Sequence, residues 1–483
     1  MDSYPRHTVL RGTAAVVVAV LLVACAGLTL AYEPPQLGAG TIKDPADGTT
    51  AVAVQGFHFQ GEGSEKKPAR LLRVNETGGI TELANGTDTG TSWFYDVDPL
   101  DDGNLLVTST LPGTTLAYEL NPETGERVWE QEFDAEDTHD VAMLNEHELL
   151  VANMRNGGGN GEVSNDRLFV YNLTSDEVVW EWYFKNHYPE STDGGMNADW
   201  SHVNDVDKIE EGRYLVSPRN FDQAIVVNRS TKEIEMRLGE DDNHSILNEQ
   251  HNPDYLESDD GTPTMLVADS DNDRIVEYER DCGDADPGLG AGTPPDECHW
   301  NLVWELGDQN MSWPRDADRL PNGNTLITDS LNHRVVEVTP SGEIVWEVNT
   351  PWGPYDAERV KYGPESNGPT MRDQGVNGSF PLQNAEPNNA TVGTGSSGTE
   401  GTSFPVWIQQ TTAGWPGEAA FDEFAETWEG VSQWVKPVWM APWGFVALVG
   451  ALVLSVGWLL AELVYNRQRV YRRVTSLRSA RTE

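Results

Sequence analysis

Three histidines and two arginines hold the positions where this chain could do chemistry. His139, His202 and His251 each stand at the start of an alternating strand pattern, and Arg315 holds the same place in a further copy. Arg219 follows the strand after His202, so a fixed cation is expected beside a titratable nitrogen base at neighbouring strand ends. Each residue alone is weak evidence. A histidine at a strand start is more often a satisfied hydrogen-bonding group, and a single arginine more often a salt bridge between sheets. Their recurrence at one place in successive repeats is harder to attribute to chance. Three imidazoles on separate strands could also hold a divalent metal. No short His-x-x-x-His spacing favours zinc, although ligands from separate sheets need none. His147, His187 and His244 are assigned to loops.

The strands that position these residues come from a repeat. Its unit is x-Asp-(Val/Ala)-x-x-(Leu/Ile), an acidic or Gly-containing turn, then a Leu/Val-rich strand. Copies begin at Tyr95, His139, Asn204, His251 (with an insertion) and Arg315, and a poorer one at Tyr355. The strong copies are followed by a hairpin whose second strand often ends in Trp-Glu: Trp129-Glu130, Trp180-Glu181, Trp304-Glu305 and Trp346-Glu347. An extra hairpin, Arg70 to Leu83, precedes the first copy. Two strands plus a hairpin make a four-stranded sheet, and such sheets repeated around an axis make a β-propeller. Six lead units and six hairpins, offset by one, predict an all-β, six-bladed β-propeller over 45–362, its last blade completed by the N-terminal hairpin. Five blades and a separate hairpin are the alternative. In a propeller the starts of the lead strands converge on one mouth of the channel, which is where the histidines and Arg315 fall.

Apolar runs flank this region. Residues 1–11 are short and basic, and 12–32 are long enough to span a bilayer as an uncleaved anchor; a cleaved signal, with Cys25 in a lipobox-like sequence, is the alternative. Residues 438–464 form a second predicted transmembrane helix with Trp439 and Trp443 at its edge. The tail 465–483 carries Arg467, Arg469, Arg472, Arg473, Arg478 and Arg481. The positive-inside rule places this tail in the cytoplasm, Arg6 and Arg11 place the N-terminus there too, and the propeller is expected outside the cell membrane. Between propeller and second span, 363–437 begins rich in Gly, Asn, Ser, Thr and Pro, expected as a linker or flap, and ends in a Trp-rich segment expected as a helix.

The formal net charge of −46, with Arg supplying most of the 32 basic residues, is that of a solvated acidic surface. It points to a halophilic, archaeal source and against nucleic acid as a partner. Cys282 and Cys298 flank a Gly-, Pro- and Asp-rich insertion, and outside the cytosol a disulfide between them is expected. Eight Asn-x-Ser/Thr sequons mark candidate glycosylation sites: Asn75, Asn85, Asn172, Asn228, Asn243, Asn310, Asn377 and Asn389.

One stretch carries a family resemblance. Trp200-Ser201-His202-Val203-Asn204-Asp205, a hairpin, then Ser217-Pro218-Arg219 resembles the aryl sulfotransferase pattern W-x-H-x-N-S followed by S-x-R, with Asp205 in place of the serine and Pro218 before the arginine. Glu249-Gln250-His251-Asn252 is similar to the family's Q-H-D-like motif, with Asn252 as the departure, and Thr138-His139-Asp140 to its remaining histidine. The resemblance runs from about His139 to Val348. It implies a nucleotide-independent enzyme in which His251 attacks sulfur to form a transient sulfohistidine. His202, Arg219 and His139 complete the catalytic set, and Asn204 and Arg315 bind substrate. The physics suits those roles: neutral imidazole is a nucleophile near neutral pH, a guanidinium offers forked donors to sulfuryl oxygens, and His202 or His139 could give the leaving phenolate a proton or hydrogen bond. The implied donor is an aryl sulfate ester and the acceptor a phenol or other hydroxyl. No G-x-x-x-x-G-K-(S/T) sequence occurs, no cofactor is implied, and no metal is assigned. A non-catalytic, membrane-tethered propeller binding a glycan or protein is the competing reading, and a metal-dependent propeller hydrolase a third.

Overall fold

A computed structural model describes residues 6–157, 162–307, 310–383 and 403–466. The chain forms two compact units, Pro35–Asn389 and a second one made of Met1–Pro34 with Ala390–Glu483. Asn389 and the six tail arginines lie outside the described residues.

The larger unit is the expected propeller. Six antiparallel sheets are present, four of four strands and two extended to five. Blades 1 to 5 open with the lead strands Trp93–Pro99, Val141–Asn145, Val203–Glu210, His251–Glu257 and Pro314–Arg319. Blade 6 joins the lead strand Pro354–Arg359 to Thr50–Val54, Arg70–Val74 and Ile80–Asn85, so the two ends of the propeller sequence share one sheet. The N-terminal hairpin closes the ring, and the five-bladed alternative falls away.

The repeat's residues have separable jobs. Its aspartate staples neighbouring lead strands. Asp140 accepts from Val206 N at 2.7 Å, Asp316 from Ala357 N at 3.2 Å and Asp356 from Val97 N at 2.9 Å. The Trp-Glu pairs close the outer strands. Trp180 Nε1 donates to Arg229 O at 2.9 Å, Trp304 Nε1 to Pro340 O at 2.9 Å and Trp346 Nε1 to Glu76 O at 3.2 Å, each on the next blade's turn. The adjoining glutamates pair inside their own blades, Glu305 with Arg274 at 2.9 Å and Glu347 with Arg334 at 3.0 Å. Apolar faces of adjacent blades then pack into continuous cores, as around Trp182, Trp200, Phe221 and Ile225 between blades 2 and 3.

The start of the segment expected as a linker or flap packs onto the propeller. Gly378–Phe380 adds a parallel strand to blade 4, and Met371, fully buried, donates its N–H to Glu277 at 2.7 Å. Glu277 in turn pairs with buried Arg319 at 2.9 Å. Cys282 and Cys298 are bonded to each other. Sequon residues Asn75, Asn172 and Asn228 sit at hairpin turns, where their side-chain oxygens accept backbone N–H groups, as turn asparagines do.

In the smaller unit, helices Arg6–Leu30 and Pro442–Tyr465 run against each other, with Arg11 paired to Glu462 at 2.5 Å. Gly444 makes the approach close: a Cβ there would sit 2.8 Å from Thr29 Oγ1. Leu10–Leu30 and Pro442–Tyr465 are long and apolar enough to cross a membrane, by length and composition. Helices Phe404–Thr412 and Glu418–Val435 occupy the Trp-rich segment.

Candidate active site

The lead strands bring five rings into one cluster. His139 lies 4.0 Å from Tyr95, 5.2 Å from His202 and 5.2 Å from Tyr355, centroid to centroid, and His251 lies 5.7 Å from Tyr355. Arg315 stacks over Trp313 at 3.8 Å and over Tyr355 at 4.6 Å. The approach to this mouth is strained. Asp137, Glu249 and Trp313 have φ of 59°, 47° and 52°, and each stands two residues before His139, His251 or Arg315; His202 itself has φ 40°. Left-handed backbone at non-glycine residues costs on the order of 1–3 kcal/mol each and gathers where side chains must be aimed.

His251 is held by one nitrogen. Its Nδ1 lies 3.1 Å from Glu249 O and 2.8 Å from Ser270 Oγ. A carbonyl can only accept, and Ser270 spends its own hydrogen on Pro314 O at 2.6 Å, so Nδ1 carries the proton. The other nitrogen, Nε2, is buried and without a hydrogen-bond partner among the described residues. Burial, with Arg315, Arg219 and His202 nearby, pushes the His251 pKa well below its ordinary value, so the ring stays neutral. Gln250 locks the strand start by donating to Gln223 O at 2.6 Å and Ser217 Oγ at 3.0 Å on blade 3.

His202 is set by an acid and an arginine. Its Nδ1 lies 2.9 Å from Asp199 Oδ2, and Arg155 Nε donates to Asp199 Oδ1 at 2.8 Å. His202 and Arg155 together hold the Asp199 carboxyl ionised, far below its usual range. The carboxylate fixes the proton on Nδ1 and leaves Nε2 as an acceptor. Burial first, then Arg219, lowers the His202 pKa to about 4. The tryptophan of the motif is structural: Trp200 is fully buried, donates to Thr192 O at 2.9 Å and packs on Phe221 at 5.0 Å, anchoring the turn that aims His202.

His139 takes its tautomer from Tyr355, whose hydroxyl lies 2.7 Å from His139 Nδ1. That hydroxyl has no other partner among the described residues and donates to Nδ1, which leaves the hydrogen on Nε2. Tyr95 donates to Asp137 at 2.8 Å, and Asp137 also pairs with Arg155. Arg219 lies on the turn Arg219–Phe221, paired with Glu249 at 3.2 Å. Arg315 is buried, donates to Gln55 and has its pKa lowered by burial to about 10, still charged at neutral pH.

The expected residues therefore meet: His139, His202, His251, Arg219 and Arg315 border one mouth. Asn204 donates its amide N–H to Gln250 O across the blades at 2.9 Å, and its Oδ1 is buried without a hydrogen-bond partner among the described residues. Sequence reasoning had given no role to Tyr95, Tyr355, Asp199, Arg155, Asp137, Trp313 or Ser270. Tyr95 and Tyr355 were within reach, because they head their own repeats. Among the described residues, the carboxylates of Asp140, Asp205 and Asp207 lie close enough together to hold a metal ion.

Fold and mouth together define a six-bladed propeller with neutral histidines and two arginines gathered at one mouth of its channel. The model of the arylsulfotransferase (ASST) family matches residues 77–281, a span that contains all three histidines and Arg219. No curated protein matches the chain in sequence. Among solved structures, a protein of unknown function from Bacteroides caccae is 14% identical with a TM-score of 0.41, covering 65% of this chain and 100% of its own. Virginiamycin B lyase from Staphylococcus aureus is 9% identical with a TM-score of 0.35, covering 63% of this chain and 85% of its own.

Proposed function

We propose that the protein is an arylsulfotransferase-family enzyme that moves a sulfuryl group from an aryl sulfate ester to a phenolic or other hydroxyl acceptor, with His251 as the covalent carrier. The family match supports sulfotransferase chemistry in general. The observation that carries the mechanism is His251 Nε2, a buried lone pair without a partner among the described residues, aimed by two acceptors on Nδ1. In the first half-reaction that lone pair forms the N–S bond while the S–O bond to the aryl group breaks and the electrons leave on the phenolate oxygen. Arg219 and Arg315 meet the charge spread over the sulfuryl oxygens. His139 Nε2–H offers the departing oxygen a hydrogen bond. Glu249 O and Ser270 Oγ continue to accept from Nδ1–H, which stabilises the charge on the sulfated ring. In the second half-reaction His202 Nε2 takes the acceptor's proton, the acceptor oxygen bonds to sulfur, and the N–S electrons return to His251. His202 thus acts as a base on the acceptor rather than an acid toward the donor, because its resting form is neutral with the proton on Nδ1.

Both apolar helices are proposed to anchor the protein in the cell membrane, with the propeller outside and both termini cytoplasmic, on the strength of the basic residues beyond each span. Protease added to intact cells should remove the propeller and spare a tail epitope; loss of that epitope refutes the orientation. For the chemistry, a chromogenic aryl sulfate is mixed with the purified protein without acceptor and quenched. One sulfuryl mass increment is expected on the peptide containing His251, and His251→Ala should abolish turnover. An adduct elsewhere, or wild-type rates in the variant, refutes the assignment.

A further inference from the structure

Beneath the histidine mouth the channel wall becomes acidic. The repeat aspartates Asp96, Asp140, Asp205, Asp254, Asp316 and Asp356 are all buried, and Asp318 and Glu358 lie buried beside them. Most have a visible duty, three of them as the staples between lead strands described above. Asp205 has none: its Oδ2 is buried without a hydrogen-bond partner among the described residues, on a side chain 5% exposed. The Asp205 carboxylate belongs to a group. One carboxylate oxygen each from Asp140, Asp205 and Asp207 lie within 4.8 Å of one another, and no arginine or lysine pairs with any of the three among the described residues.

We propose that Asp140, Asp205 and Asp207 bind a divalent cation, Ca²⁺ by preference, in the central channel. Asp140 and Asp205 are buried and Asp207 is half-buried, and three carboxylates this close repel one another. Such a set either takes up protons or takes a cation. An orphaned, buried Oδ2 is costly in the first case and satisfied in the second. The donor set is oxygen throughout, with no thiolate or imidazole, which selects a hard cation. Three oxygens no more than 4.8 Å apart lie at most about 2.8 Å from a common point, within reach of one cation, and three protein carboxylates suit Ca²⁺, since Mg²⁺ usually keeps several waters and takes one or two. Two more carboxyls stand next to the set, Asp96 hydrogen-bonded to Asp140 and Glu365 to Asp207, and can add ligands or orient those present. The cation joins blade 2 to blade 3. Asp140 follows His139 directly, and Asp205 is three residues beyond His202, so the ion fixes the spacing of the strands that carry both histidines. It is a positioning ion and takes no part in the transfer; the inference stands apart from the sulfotransferase reading.

The test uses the full chain in detergent, stripped with chelator and titrated with Ca²⁺ by calorimetry in molar KCl, which suppresses loose binding to the acidic surface. One saturable site is expected, with a rise in Tm on filling. Asp205→Asn and Asp207→Asn should each weaken it at least about 10-fold, as loss of a ligand or its orienting partner does. Asp284→Asn with Asp286→Asn, in the exposed insertion, should leave it intact. Should the channel variants not fold, wild-type protein decides through Tb³⁺ in molar KCl, whose tyrosine-sensitised luminescence should saturate at one ion per chain and be displaced by Ca²⁺. Absence of a saturable Ca²⁺ site, Asp205→Asn binding like wild type, or Tb³⁺ luminescence that Ca²⁺ does not displace would each overturn the proposal.

Discussion

Asp199→Asn separates the two half-reactions. In the native site the carboxylate serves two donors at once, His202 Nδ1 at 2.9 Å and Arg155 Nε at 2.8 Å. An amide has one acceptor end and one donor end. Arg155 is a guanidinium with donors only, so the amide oxygen must face it and the NH₂ must face His202. Nδ1 then becomes an acceptor, the proton moves to Nε2, and the base that meets the acceptor hydroxyl is gone, with little change in shape. Loss of a positioned general base costs about 10²- to 10⁴-fold. The first half-reaction needs no base, since an acidic chromogenic phenol leaves as its anion. Stopped-flow mixing with a chromogenic aryl sulfate should therefore show a normal burst of phenol release, followed by turnover slowed within that range. The slowing should be greatest for weakly acidic acceptors and smallest for acceptors already ionised. A variant with wild-type turnover on weakly acidic phenols, or one that loses the burst together with turnover, would refute both the tautomer argument and the role of His202.

Arg219→Lys keeps a charge but loses the fork, and should slow transfer by about 10²-fold in steady-state assays; unchanged rates would remove Arg219 from the site. The acid limb of kcat/KM for the acceptor should fall near pH 4, set by His202, rather than near 6.5, since a neutral ring is the working form; a limb at 6.5 would contradict the buried, neutral His202. Stability in chelator should decline as pH rises from about 7.5 to about 8.5. In this window the histidines are nearly all neutral folded or unfolded, while burial raises Asp356 to about 8 and Asp140 to about 7, so the native state holds protons that the unfolded chain has already released. A thermal melt whose Tm rises over that window contradicts the buried-acid assignment. Dilution from molar to millimolar salt should unfold the propeller as screening of its acidic surface fades, and equal stability in both would count against a halophilic design.

The six-bladed ring and the mouth-lining histidines were legible in the sequence because they are local, repeated signals. Alternating strands, acidic turns and Trp-Glu ends recur at a fixed order, and a leftover hairpin plus a leftover lead strand specify closure. Cys282 and Cys298 and both long apolar runs are equally local. Tertiary structure alone decided which nitrogen of each histidine carries its proton. That depends on Tyr355 reaching His139 across 216 residues of sequence, on Arg155 reaching Asp199 across 44, and on Ser270 bonding simultaneously to His251 and to Pro314. It also decided that Asn204 ties strands together, and that Asp205 is the repeat aspartate with a buried oxygen left over. Tautomers, orphaned atoms and carboxylate clusters are properties of neighbours in space, and ring closure is what makes neighbours of residues that the sequence holds far apart.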